Sequence, residues 1–193
     1  ITSGFSYDWA TVISFVNIYH NINIMNNMII GSLVYYGWSY DLALVLAHYN
    51  SILSYINFAN NLFINGTYGI RYDNWQTRAN NHNTIHNNVF YNQGGYGFSS
   101  EFEANFTATQ NIFMASLAVS YYYALQVYSG IANLSIHRNN IQISNANSAY
   151  GVIVNNYQGH LTPPPSNPGL NVSPTNSHIA NNFIAIDAIN SGF

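Results

Sequence analysis

Six times along this chain an apolar residue, a variable one, two polar positions, another variable one and a second apolar residue follow in that order. The copies are Ile24-Met25-Asn26-Asn27-Met28-Ile29, Phe58-Ala59-Asn60-Asn61-Leu62-Phe63, Ile85-His86-Asn87-Asn88-Val89-Phe90, Ala108-Thr109-Gln110-Asn111-Ile112-Phe113, Ile136-His137-Arg138-Asn139-Asn140-Ile141 and Ile179-Ala180-Asn181-Asn182-Phe183-Ile184. The first paired position changes to Gln110 or Arg138, but the second is Asn in all six copies. Apolar and polar residues alternate just upstream, as in Ile22 and Ile24, Ile56 and Phe58, and Leu134 and Ile136. Period-two alternation marks a strand with one face inside, and the inward set continues through Ile29, Phe63, Phe90, Phe113, Ile141 and Ile184.

A second phrase runs between the copies, led by Tyr7, Tyr40, Tyr68, Tyr96, Tyr123 and Tyr150, at steps of 33, 28, 28, 27 and 27 residues. A period of this length is the mark of a solenoid. Each repeat is expected to supply a strand, a turn at Asn, a short strand, a variable loop and the Tyr-led strand. Three strands per 27 or 28 residues with no helix between them predict an all-β parallel β-helix of six to seven coils. Stacked coils lie about 4.8 Å apart, so residues one period apart become column neighbours. Asn27, Asn61, Asn88, Asn111, Asn139 and Asn182 are then expected at a bend, forming a ladder of amides that would each cost roughly 1 to 3 kcal/mol if unpaired. Asn also tolerates the left-handed backbone of a sharp bend. The repeated Tyr shares parity with inward residues two and four later, which predicts an aromatic stack bounding the core. A tyrosine strip for polysaccharide needs the opposite orientation.

The phrase apolar-x-Asn-Asn-x-apolar, followed by Tyr-Gly-apolar as in Tyr68-Gly69-Ile70, Tyr96-Gly97-Phe98 and Tyr150-Gly151-Val152, resembles the parallel β-helix repeat of the pectate-lyase-like superfamily, NosD-like proteins included. The resemblance covers residues 7–189 and implies a right-handed coil. It is specific for fold and says little of function, because such repeats occur in lyases, epimerases, hydrolases, spikes and adhesins alike. One domain over residues 1–193 is expected, with residues 1–21 as a lead-in or cap coil. A Pro-rich loop insertion is expected over residues 155–176, where Pro163-Pro164-Pro165 cannot donate to a ladder.

Composition changes the picture on the polar side. Only 5% of the 193 residues are charged, none is Lys, and the net charge is −3. Three Arg cannot neutralise a run of phosphates, so nucleic acid is not an expected partner. The absence of Cys rules out disulfides and thiolate metal sites. No apolar run is long enough to span a membrane as a helix. The sequence starts at Ile1 without a charged-then-apolar leader, which suggests a processed protein or an excised piece and is compatible with secretion. Acceptor sequons occur at Asn65, Asn105, Asn133 and Asn171, no more than chance gives in a chain with 32 Asn and 28 Ser plus Thr. Asn105 and Asn133 each precede their fixed Asn by six residues, so glycans there would project from one line.

Five of the nine charged residues fall between positions 71 and 103. Counting from each Tyr, Asp73 and Glu101 should be column neighbours, with Arg71 beside them. Two carboxylates at that spacing suit the acid and nucleophile of a retaining glycosidase, or a Ca²⁺ site with Arg71 as base or clamp. Trp75, Arg78 and Glu103 would then contact the sugar, Trp75 by stacking. The plainer alternative is an ion-pair network on an otherwise uncharged wall. His82 and His86, four apart on a strand, lie about 13 Å apart and make no metal pair. No metal is expected, and no cofactor beyond the Ca²⁺ of the lyase reading.

The expectation for function is an extracellular structural or surface protein, a self-associating subunit of a filament, sheath, spike or surface layer. A solenoid exposes strand edges at both ends, and these must be capped or used. A polysaccharide lyase, epimerase or hydrolase at Asp73, Glu101 and Arg71 is the alternative, and a non-catalytic glycan-binding module the third.

Overall fold

The computed structural model describes residues 11–33, 43–47, 51–73, 80–128, 133–155, 177–187 and 190–192. Among them are twenty-three short strands and no helix. The strands stack into four parallel sheets, one of seven strands, one of four and two of six. One circuit shows the plan: Tyr68–Tyr72 in the seven-stranded sheet, Asn80–Asn81 in the four-stranded one, then Thr84–His86 and Val89–Tyr91 in the two six-stranded sheets. The chain then returns to the first sheet at Tyr96–Glu101. Six circuits stack into a parallel β-helix, the first four of them through all four sheets, and Asn190–Gly192 opens a seventh against Ser148–Asn155.

The columns follow the sequence phrases. Ile85 pairs with Phe58 and Ala108, and Phe90 with Phe63 and Phe113. Inside, Phe63, Phe90 and Phe113 stack face to face at 4.8 and 4.6 Å, all fully buried. Each such ring removed from water is worth roughly 1.5 to 3 kcal/mol. The first four circuits have four strands each instead of the expected three, and the fifth and sixth have three among the described residues. The additional sheet is built from Ile18–His20, Ile52–Ser54, Asn80–Asn81 and Glu103–Ala104, and pieces of two or three residues are too short to show alternation.

At the corner between the six-stranded sheets the two polar positions divide the work. The first takes the left-handed backbone, with φ between 53° and 59° at Asn26, Asn60, Asn87, Gln110, Arg138 and Asn181. The second makes the ladder. Asn88 Oδ1 accepts from the Asn61 backbone N–H at 2.9 Å and from Asn61 Nδ2 at 3.0 Å, while its own Nδ2 donates to Phe58 O at 2.9 Å and Asn111 Oδ1 at 3.1 Å. That uses the full capacity of a buried amide. The side-chain links continue from Asn27 to Asn61, Asn111 to Asn139 and Asn139 to Asn182, at 3.1, 3.0 and 2.9 Å. Successive members are 34, 27, 23, 28 and 43 residues apart, so segments of very different length close on one register. The left-handed residue is therefore not the fixed Asn, which explains why Gln110 and Arg138 can replace the first position.

The tyrosines do stack, but not on the core side. Tyr68, Tyr96, Tyr123 and Tyr150 form one column with ring centroids 4.5, 4.9 and 4.8 Å apart. Tyr68 and Tyr96 belong to an apolar cluster with Ala43 and Leu46, separate from the main core. In the second coil Ala43, not Tyr40, pairs with Tyr68, and the residue after this column faces inward instead: Leu44 and Ala124 lie in the core, and a Cβ on Gly69 or Gly97 would meet the Phe90 or Phe113 ring at 2.6 or 2.5 Å. Ile70 and Phe98 also face the core, so two consecutive residues point inward and the alternation slips by one. Tyr therefore points away from the core at this kink, which recurs from the second coil to the fifth and needs a small residue wherever a Phe comes close.

Candidate functional site

The charged residues that the column argument placed together do meet. Strand Tyr96–Glu101 pairs with Tyr68–Tyr72 so that Ser99 lies beside Arg71 and Ser100 beside Tyr72, which brings Glu101 alongside Asp73 one step further on. On the following coil Glu101 is paired with Tyr128. Arg71 Nη2 lies 3.3 Å from Asp73 Oδ2, and its guanidinium sits 4.6 Å from the Tyr68 ring centroid. Arg71 is thus an almost buried cation held by a carboxylate and an aromatic face. Burial pushes the half-buried Glu101 up to about 7; the Asp73 charge adds to the rise and Arg71 opposes it. A carboxyl that holds its proton near neutrality beside a second carboxylate is the chemistry of an acid and base pair.

Glu103 has the opposite surroundings. It pairs with Asn80 in the four-stranded sheet, in the inward column that contains Leu53, and is completely buried. Ser100 Oγ donates to Glu103 Oε1 at 2.6 Å, and Asn83 Nδ2 to Oε2 at 3.4 Å. Burial pushes its carboxyl up to about 8 despite those hydrogen bonds. Glu103 is an interior acid, out of reach of a polysaccharide. Trp75 and Arg78 lie outside the described residues, as do Asn171 and positions 156–176 of the expected insertion.

Asn105 and Asn133 share a line as expected, and their amides are bonded to each other: Asn133 Nδ2 donates to Asn105 Oδ1 at 2.7 Å, and Asn105 Nδ2 to Asn81 Oδ1 at 2.8 Å. Asn65 donates to Gly31 O at 3.3 Å. His82 stacks on Tyr55 at 4.7 Å, while His86 and His137 are separated by Thr109 in one column. Among the described residues no three His, Asp or Glu converge as metal ligands. No helix among them is long and apolar enough to cross a membrane.

A surface that the sequence reading passed over is the outer face of the last sheet in each circuit. Two columns point outward there: Met28, Leu62, Val89, Ile112, Asn140 and Phe183, then Ile30, Ile64, Tyr91, Met114, Gln142 and Ala185. None of these twelve residues is charged, and nine are large and apolar. Met28, Ile30 and Phe183 are 65%, 55% and 60% exposed. At the later coils the face is hollowed into an open groove of about 590 Å³, bordered by Tyr91, Met114, Gln142, Phe183 and Ala185. The signal was present in the six phrases, where the position after the fixed Asn is apolar in five copies. No family model matches this chain, and searches of curated proteins and of solved structures return no similar protein.

Proposed function

We propose that this protein is a self-associating structural β-helix, a subunit of an extracellular filament, sheath, spike or surface layer. The observation that carries the proposal is the uncharged apolar face on the last sheet of each circuit. Nothing in the coil requires it, because these side chains point away from the core, and a contiguous apolar patch of this kind marks a contact surface. A chain with 5% charged residues and no Lys also lacks the repulsion that keeps neighbours apart. Sedimentation velocity over a concentration series tests it. Mass rising with concentration is expected, and a monomer throughout, up to the solubility limit, would overturn it.

A second reading has its own support in the meeting of Arg71, Asp73 and Glu101. A glycan held there would find a protonated Glu101 next to an Arg-paired Asp73, the arrangement for a hydrolase or, with Ca²⁺, a lyase of the pectate-lyase-like kind. Assay of uronate and neutral polysaccharides with and without Ca²⁺ decides it: product that disappears in Glu101→Gln supports turnover, saturable binding without product supports a glycan-binding module, and neither leaves the structural role alone.

A further inference from the structure

The two ends of the apolar face differ in relief, and the difference is directional. At the first coil Met28 and Ile30 project, and Leu33 just beyond them is 46% exposed. At the fifth and sixth coils the second column falls away to Gln142 and Ala185, which border the groove of about 590 Å³. The outward amides of the fifth coil are joined to each other, Gln142 Nε2 donating to Asn140 Oδ1 at 3.1 Å, so part of their hydrogen-bonding capacity is met without water.

Resting on the self-association reading above, we propose that the partner on this face is a second copy running antiparallel, related by a two-fold axis along the strands. That operation lays the first coil of one copy over the sixth of the other and keeps each column opposite itself. Ile30 then seats against Ala185 of its mate, and Met28 meets the Phe183 ring, a sulfur and aromatic contact. At the centre Val89 lies over Ile112, and Tyr91 over Met114. The interface is isologous, each projection filling the other copy's groove. The parallel alternative sets groove against groove and encloses both volumes empty or wet, with nothing to fill them.

The size of the face sets the strength. Six strands at about 4.8 Å and two columns across give roughly 400 Å² per copy, about half the ~800 Å² per partner of a standard complex. The pair is therefore weak alone and becomes firm in an assembly that adds a second contact, which makes covalent trapping the right assay.

Because the chain has no cysteine, single-Cys variants report cleanly. Ile30→Cys and Ala185→Cys alter exposed side chains and are prepared separately, with far-UV circular dichroism confirming the strand signature. In the antiparallel pair like cysteines stand about 24 Å apart, beyond a disulfide or a short bismaleimide. A mixture of the two variants should give at least about ten times more trapped dimer than either alone, given that separation. Efficient self-cross-linking of Ile30→Cys, with little in the mixture, overturns the antiparallel arrangement while leaving self-association standing. Monomer by sedimentation and no trapped dimer in any combination at the same concentration overturns both.

Discussion

The two six-stranded sheets meet at the Asn ladder and are built from the same repeat, yet their outer faces have opposite chemistry. Before the ladder the outward columns read Asn23, Asn57, Thr84, Thr107, Ser135, His178 and Met25, Ala59, His86, Thr109, His137, Ala180. Neighbours there are joined along the column, Asn57 Nδ2 donating to Asn23 Oδ1 at 3.1 Å and Thr84 Oγ1 to Asn57 Oδ1 at 2.7 Å. After the ladder the outward columns are aliphatic and aromatic apart from Asn140 and Gln142 in the fifth coil. Both sheets bury equivalent inward columns, Phe58 and Ile85 on one side and Phe63 and Phe90 on the other, so the core does not distinguish them. The difference resides wholly in positions that folding leaves free, which is why the apolar set reads as function and the polar set as a solvated wall.

The strongest way to break the comparison is to remove what the two sheets share. Asn88→Ala leaves the Asn61 N–H and Nδ2, Phe58 O and Asn111 Oδ1 short of a partner in a buried corner. With each stranded group costing about 1 to 3 kcal/mol and some relaxing, a loss of roughly 3 to 5 kcal/mol is expected in urea unfolding. Asn27→Ala, at the exposed end of the ladder, should cost no more than about 1 kcal/mol. Equal losses at the two sites would mean that the ladder is not what joins the sheets. One position on from Asn88 lies a finer cut. Phe90→Ala opens a cavity between Phe63 and Phe113 and should cost about 3 to 5 kcal/mol, whereas its neighbour Val89→Ala, facing outward, should cost well under about 1 kcal/mol.

Most of that inner architecture was legible in the phrases. Asn88 and Phe90 recur in step, and a residue that must fill the same environment every coil leaves a periodic trace. The meeting of Asp73 and Glu101 was legible for the same reason, since counting from Tyr68 and Tyr96 is counting along paired strands. What could not be read depended on local geometry without a period of its own. The slip after each Tyr is set by how closely Phe90 and Phe113 approach the Gly69 and Gly97 backbone, a distance between residues far apart in sequence. Glu103 gave no sign of facing inward, because its strand of two residues carries no alternation. The outward apolar columns were visible but silent, since a code read for what folds treats its variable positions as noise.

A pH titration sharpens the comparison, because none of the outward column residues named above is a carboxylate and a neutral corner should not follow an acid. Glu103 in the interior should. Its carboxyl rises from 4.5 to about 8 on folding, so the folded chain binds a proton that the unfolded chain has lost. Stability from this group is complete below about pH 4.5, falls as pH rises toward 8, and is flat beyond, with a span on the order of 5 kcal/mol. Glu103→Gln should keep the acceptor for Ser100 and make the fall of the urea midpoint between pH 5 and 8 shallower than in the unmodified chain, leaving the part that Glu101, raised to about 7, contributes. A slope left unchanged by the substitution, above pH 7 in particular, would assign it to groups other than Glu103.

The smallest effect on the fold is the most telling for function. Val89→Lys and Thr107→Lys each place an ammonium on an outward position of a middle coil, one on either side of the ladder. Neither disturbs a core contact, so both should unfold within about 0.5 kcal/mol of the parent. Their association should differ. At Val89 the charge is carried into the middle of the apolar face, where a second copy would have to desolvate it against Ile112 with no carboxylate nearby, and self-association should disappear. At Thr107 the charge stays in water and the concentration dependence of sedimentation should match the parent. If both substitutions abolish association, repulsion between whole molecules rather than a defined face governs it; if Thr107→Lys alone does so, the polar wall is the contact and the roles of the two sheets are reversed.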